Sequence, residues 1–189
     1  MKNIIKKSAI MIFLGVATQI VSSSILTFVL SFFPDIASTY AENTSFVEQI
    51  TATVFLVVVV VSPIFEELIF RALILGGLKK IMPFIFANII QAALFGIWHG
   101  NLVQAIYAFI LGLFIGMVML WCGNFIYCMV LHMSINLSGL FIDKVLNEKT
   151  NTVVFVIIFL VAAFMMAFLV RIITNIYKKE QEKVTCNES

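Results

Sequence analysis

Six stretches of this chain, roughly 8–33, 50–78, 83–101, 103–121, 124–142 and 152–173, are each apolar over about 20 residues, enough to cross the hydrocarbon core of a bilayer as a helix. Lipid leaves no backbone N–H or C=O unpaired, so only helices or closed barrels span it, and these runs lack the alternation of barrel strands. The expected fold class is therefore all-α, a polytopic transmembrane bundle of about six helices. Composition agrees: 62% of the 189 residues are hydrophobic, 12% are charged, and mean hydropathy is +1.10. The polar stretches are confined to 34–50, 143–151 and 178–189, with no long linker or internal repeat, so residues 1–189 are expected to form a single membrane domain.

Lys2, Lys6 and Lys7 precede the first run as they would in a secretory signal, yet an apolar stretch of about 25 residues exceeds the 7–15 of a signal's apolar region. It is expected to be a retained first helix. Lys79 and Lys80 mark one turn, and Arg171, Lys178, Lys179 and Lys183 lie in the C-terminal stretch; Lys144, Lys149 and Arg71 lie elsewhere. The 34–50 loop carries Asp35, Glu42 and Glu48 and no basic residue. The positive-inside rule then puts both termini in the cytoplasm and the chain in a cell membrane as a multi-pass protein, with the lipid bilayer as its partner. A net charge of +2, distributed as topology requires, gives no reason to expect nucleic acid. Cys122, Cys128 and Cys186 lack metal-type spacing and are not expected to form a disulfide framework. The terminal "CNES" places a cysteine as a prenylation box does, but Asn187 and Glu188 are not aliphatic, and no lipid anchor is expected.

Against this apolar background "FEELIFR" at 65–71 stands out, because charge inside a bilayer is costly and by default marks a functional site. With helix ends placed at Lys80, Pro83 and Gly123, the helical rise puts Glu66 ~21 Å, His99 ~24 Å, His132 ~14 Å and Asn136 ~20 Å from the basic side. Three helices thus bring polar groups to similar depth. Glu67 and Arg71, at i and i+4, can form an intrahelical ion pair in which each offsets the other's desolvation. Glu66 lies about 100° around the helix, without that partner, and is the best general-base candidate. His132 and Asn136, and Phe95 and His99, are also i, i+4 pairs; Asn88 and Gln91 extend a polar stripe on the helix of His99. Each group has a plainer reading. The Glu67–Arg71 pair could brace a helix, His99 could be interfacial if its helix ends early, and His132 with Asn136 could be interhelical glue.

In order and on separate apolar segments, "EELIFR" at 66–71, "FGIWH" at 95–99 and "HMSIN" at 132–136 match E-E-x-x-x-R, F-x-x-x-H and H-x-x-x-N. Across about 65–140 the chain resembles the CPBP family, named for CAAX proteases and bacteriocin-processing enzymes and also called the ABI family. The resemblance implies an intramembrane, metal-independent glutamate-type protease in which Glu66 and His99 activate a water. It assigns His132 and Asn136 to stabilising the oxyanion, with Glu67, Arg71 and Phe95 supporting. The chemistry is consistent with general-base attack on a peptide carbonyl and amide donors at the developing negative oxygen. No cofactor is expected; zinc is the less favoured alternative, since the histidines lie on different helices, unlike H-E-x-x-H.

The chain looks like the compact bacterial members of that family, which as a group process peptides or leaders or confer self-immunity to bacteriocins. The expected activity is an endopeptidase acting on a small hydrophobic or membrane-bound peptide, in bacteriocin or pheromone processing or self-immunity. Two other classes stay open. A non-enzymatic immunity or scaffold protein would keep its function in Glu66→Gln. A transporter or proton relay would pass protons between buried Glu and His, although the paired Gly/Pro-broken repeats of transporters are missing. Pro63, three residues before Glu66, is expected to loosen its helix.

Overall fold

The computed structural model describes residues 2–45, 51–145 and 151–188; Glu48 and Lys149 lie outside the described residues, as do the side chains of Lys144 and Cys186. Among the described residues every regular element is helical: α1 (Lys2–Leu30), α2 (Pro34–Thr44), α3 (Ala52–Leu78), α4 (Phe84–Trp98), α5 (Leu102–Cys122), α6 (Phe125–Val145) and α7 (Thr152–Glu188). Five of these, α1, α3, α5, α6 and α7, are long and apolar enough to cross a membrane. This is a multi-pass membrane protein with an all-α bundle.

Three elements differ from the sequence expectation. The 34–50 stretch holds a helix rather than an open loop: Pro34 pre-sets the first-turn backbone, Asp35 sits in the first turn where the N-terminal dipole favours an anion, and none of α2 is buried. The stretch from 178 onward is not a tail but the continuation of α7. The apolar run at 83–101 gives a helix of only 15 residues, ~22 Å by the helical rise, because Gly100 takes a left-handed φ of 76° and Asn101 caps α5 by accepting from the Gln104 N–H at 2.9 Å.

Close approach at small residues sets the packing. α1 lies along α6, where a Cβ added to Gly15 would come within 2.6 Å of Ser134 Cβ and 2.8 Å of the Leu131 carbonyl. Membrane helices gain little from the hydrophobic effect against each other, so this contact distance and the Ser134 Oγ bond to the Ile12 carbonyl at 2.7 Å carry the joint. α4 and α5 form a hairpin around the 99–101 turn, with Gly96 against the Ala105 carbonyl and Gly112 against Ala92. Met11, Leu14, Ile115, Leu131, Ile135 and Ile173 form the core where α1, α5, α6 and α7 meet. At the end of the bundle that holds the 79–83 turn, Lys7 Nζ donates to Glu180 at 2.9 Å and ties α1 to α7. Outward-facing Phe164 and Leu73 are 74% and 64% exposed, as side chains in contact with lipid should be.

α3 is one continuous helix but not a uniform one. π-helical turns at Leu56–Val61 and Leu68–Leu75 flank the α-helical Ser62–Glu67. Pro63 lacks an N–H, so the expected loosening takes the form of a change in winding. Replacing Gly15 by Val is expected to cost about 1–3 kcal/mol by overpacking the α1–α6 joint. Gly77→Ala, where an added Cβ meets nothing within 4 Å, should leave the thermal midpoint of the detergent-solubilised protein close to wild type. A midpoint for Gly15→Val equal to that of Gly77→Ala would refute the close-packed joint.

Candidate active site

The α-helical segment between the two π stretches carries Glu66 and Glu67, and the second π stretch carries Arg71. Arg71 and Glu67 are fully buried, and Arg71 Nη1 donates to Glu67 Oε1 at 2.9 Å, the expected i, i+4 pair. The same oxygen lies 2.7 Å from His132 Nδ1, on α6, so the carboxylate takes two charge-assisted contacts from two helices. His132 Nε2 faces Glu66 Oε2 at 3.7 Å, longer than a direct hydrogen bond but within ion-pair range. Glu66 is thus not left without a partner, as the helical wheel alone predicted. The imidazole stands between the two glutamates, one on each ring nitrogen.

Arg71 reaches further. Its Cζ sits 4.4 Å from the Phe95 ring centroid, within cation–π range, and Nη2 lies 3.4 Å from the Gly112 carbonyl on α5. Gln91 Nε2 donates to the same carbonyl at 3.0 Å and to Asn88 Oδ1 at 2.8 Å, while Asn88 Nδ2 donates to the Leu113 carbonyl at 3.0 Å. The polar stripe of α4 is therefore spent on α5 backbone. Gly112 and Gly116 permit this approach: a Cβ at Gly116 would collide with Asn88, and one at Gly112 would stand 3.2 Å from Phe95 Cδ1. The sequence reading missed these carbonyls, although the small-xxx-small spacing of 112 and 116 signals a close helix approach. Glu67 Oε2, Arg71 Nε and Gln91 Oε1 are buried with no hydrogen-bond partner among the described residues.

Phe95 joins the remaining histidine to the cluster. Its ring meets His132 edge-on at 5.8 Å between centroids and His99 at 4.8 Å. His99 closes the C-terminus of α4, and its Nδ1 lies 2.8 Å from the Phe95 carbonyl. A carbonyl only accepts, so Nδ1 carries the proton and Nε2 of a neutral ring is left as an acceptor. Asn136, one turn from His132, donates from Nδ2 to the Val58 carbonyl at 2.9 Å. That carbonyl is an orphan of the first π stretch. The Ser62 N–H is taken by Val57, five residues back, and Pro63, next in that register, has none to give. Among the described residues no group of three His, Cys, Asp or Glu side chains is arranged to hold a metal ion. Cys122 and Cys128 are free and buried.

A bundle with carboxylates, imidazoles and a guanidinium gathered inside it defines a polytopic membrane protein with an interior ionisable site. Residues 48–138, which contain all three motifs, match the family described as "Type II CAAX prenyl endopeptidase Rce1-like". Over 65 residues the chain is 40% identical to "Putative membrane peptidase YdiL" of Bacillus subtilis (strain 168), a match covering 33% of this chain and 27% of that relative's length. No solved structure matches the chain. These two matches, which cover less than half of the chain, support the CPBP family for the part that holds the three motifs.

Removing one member of a buried ion pair strands the other charge, so Arg71→Met is expected to destabilise by about 3–5 kcal/mol. Adding Glu67→Met should recover much of that loss. Thermal unfolding in detergent checks both, and a double variant no more stable than the single one would show that Glu67 and Arg71 are not an offsetting pair.

Proposed function

We propose that this protein is an intramembrane endopeptidase of the CAAX-type class that hydrolyses a peptide bond in a small hydrophobic or membrane-associated peptide at the bacterial plasma membrane. The observation that carries the reading is the pair of glutamates set about His132, with Glu67 held by Arg71 and Glu66 directed at the other ring nitrogen.

The two carboxylates have different work because they have different surroundings. Glu67, fully buried with Arg71 and His132 on one oxygen, is committed to holding the α3–α6 junction. Glu66, with a side chain 16% exposed, retains an oxygen for water. In the proposed reaction Glu66 takes a proton from that water while the Nε2 lone pair of His99 helps orient it, and the hydroxide equivalent attacks the scissile carbonyl carbon. The carbonyl oxygen becomes negative. Because Nδ1 of His132 already gives its proton to Glu67, the proposed step uses His132 as the imidazolium: its Nε2–H and the second N–H of Asn136 supply hydrogen bonds to the oxygen, and Glu66 then returns the proton to the leaving amine. Phe95 holds the edges of both imidazoles and the face of Arg71, which keeps the groups in register. The route calls for no metal.

New peptide termini in membranes and medium, compared by mass spectrometry between cells expressing wild type and Glu66→Gln at matched levels, test the reading. The termini made by wild type are expected to fall by about 10²- to 10⁴-fold in the variant, the usual contribution of a general base. Undiminished cleavage by Glu66→Gln would remove Glu66 from the mechanism. Purified protein should keep its activity in EDTA; a loss that zinc restores would assign the water to a metal instead.

A further inference from the structure

Where α3 ends, α4 begins and α5 ends, the packing leaves a hollow of about 90 Å³ lined by Leu75, Lys79, Phe84, Met119, Leu120 and Gly123. It includes none of the residues gathered about Glu67. Gly123 closes α5 in a left-handed conformation, φ 68°, and a Cβ added there would meet nothing within 4 Å, so this wall of the hollow stays open. Apart from Lys79 the lining side chains are apolar. Ile81, Ile85 and Phe86, next to it in sequence, are exposed, as side chains in contact with lipid should be.

The side-chain charge at this corner has one sign. No Asp or Glu occurs between Glu67 and Asp143, so α4, α5 and the 79–83 turn carry no acid at all. Lys7, at the same end of the bundle, is spent on Glu180; among the described residues Lys79 and Lys80 make no ion pair, and both are exposed. The helix ends modify this balance without reversing it. The C-termini of α3 and α5 each bring about −0.5 of a charge and the N-terminus of α4 about +0.5, against a full positive charge on each lysine.

A cation at the rim of an apolar hollow, where three membrane helices end, fits a molecule that is anionic at one end and hydrocarbon at the other. Basic pockets between membrane helices hold anionic headgroups in this way. We infer that the hollow is a binding site for an anionic glycerophospholipid, its phosphate at Lys79 and Lys80 and the start of an acyl chain against Leu75, Phe84, Met119 and Leu120. Leu75 is fully buried and lies four residues beyond Arg71 on the second π stretch, so an occupant braces the end of α3 that carries the ion pair. The inference is independent of the proposed reaction.

Purified protein in neutral detergent micelles is titrated separately with phosphatidylglycerol, phosphatidylcholine and inorganic phosphate, with bound lipid counted by native mass spectrometry and the thermal midpoint followed in parallel. Retention of one phosphatidylglycerol per chain and a raised midpoint are expected, with neither effect from phosphatidylcholine or inorganic phosphate at equal concentration. Lys79→Gln should weaken retention about fivefold, which corresponds to ~1 kcal/mol per basic residue at a membrane surface, and Lys79→Arg should keep it. Leu120→Trp, which fills the hollow without changing charge, should also displace the lipid. Lys183→Gln removes an exposed cation from α7 and should leave retention unchanged. Equal retention of phosphatidylcholine, equal stabilisation by inorganic phosphate, full retention in Lys79→Gln, or an equal loss in Lys183→Gln would each overturn the inference.

Discussion

The contact on which the rest depends is the buried chain Arg71–Glu67–His132. A guanidinium and a carboxylate at zero exposure would each cost several kcal/mol to bury alone, and their attraction offsets this only where geometry and further hydrogen bonds are good. Here those further bonds come from other helices. His132 brings in α6, the Gly112 carbonyl brings in α5, and the Phe95 face brings in α4. Satisfying one charge thus fixes the relative positions of four helices. It also fixes where Glu66 points, since Glu66 follows from its neighbour in sequence. The ionic contact is at once the costliest feature of the bundle and its locating pin.

How legible this was depends on what the sequence encodes locally. The helices could be read because lipid imposes a length, about 20 apolar residues, that is visible without any knowledge of neighbours. The Glu67–Arg71 pair could be read because i, i+4 spacing is a property of one helix. The bond from Glu67 to His132 could not, since it joins residues 65 positions apart and depends on the rotation of α3 against α6. Nor could the π winding, whose only sequence trace is Pro63. The helix α2 was lost in a polar stretch because the helix signals there are a first-turn proline and a dipole effect rather than a buried stripe. His99 shows the limit from the other side: its place at the end of α4 raised an interfacial reading, and only the Phe95 contacts tie it to the cluster.

Asn136 shows how a membrane bundle makes one side chain serve backbone and chemistry together. An orphan carbonyl in a low-dielectric setting costs several kcal/mol, and α3 creates one at Val58 by changing its winding just before a proline. The amide of Asn136 has two N–H donors, so one can satisfy that carbonyl and hold the side chain still while the other remains free. Immobilisation of this kind is what preorganised donors require, because a donor already fixed has no reorganisation to undergo when charge develops nearby.

The first π stretch of α3 has a further implication, for length rather than composition. A π turn accommodates one more residue than an α turn over the same rise, so Leu56–Val61 takes up residues that a uniform α-helix would distribute differently along and around its axis. Losing one residue there would rotate all that precedes it by about 100° relative to Glu66, while exchanging one valine for another apolar residue would not. Of the five consecutive valines only Val57 is exposed and Val59 is buried, yet as apolar bulk they look alike in the sequence. Their number is what the bundle counts, and a stretch that looks like the least specific part of the sequence acts as a spacer with a tolerance of less than one residue.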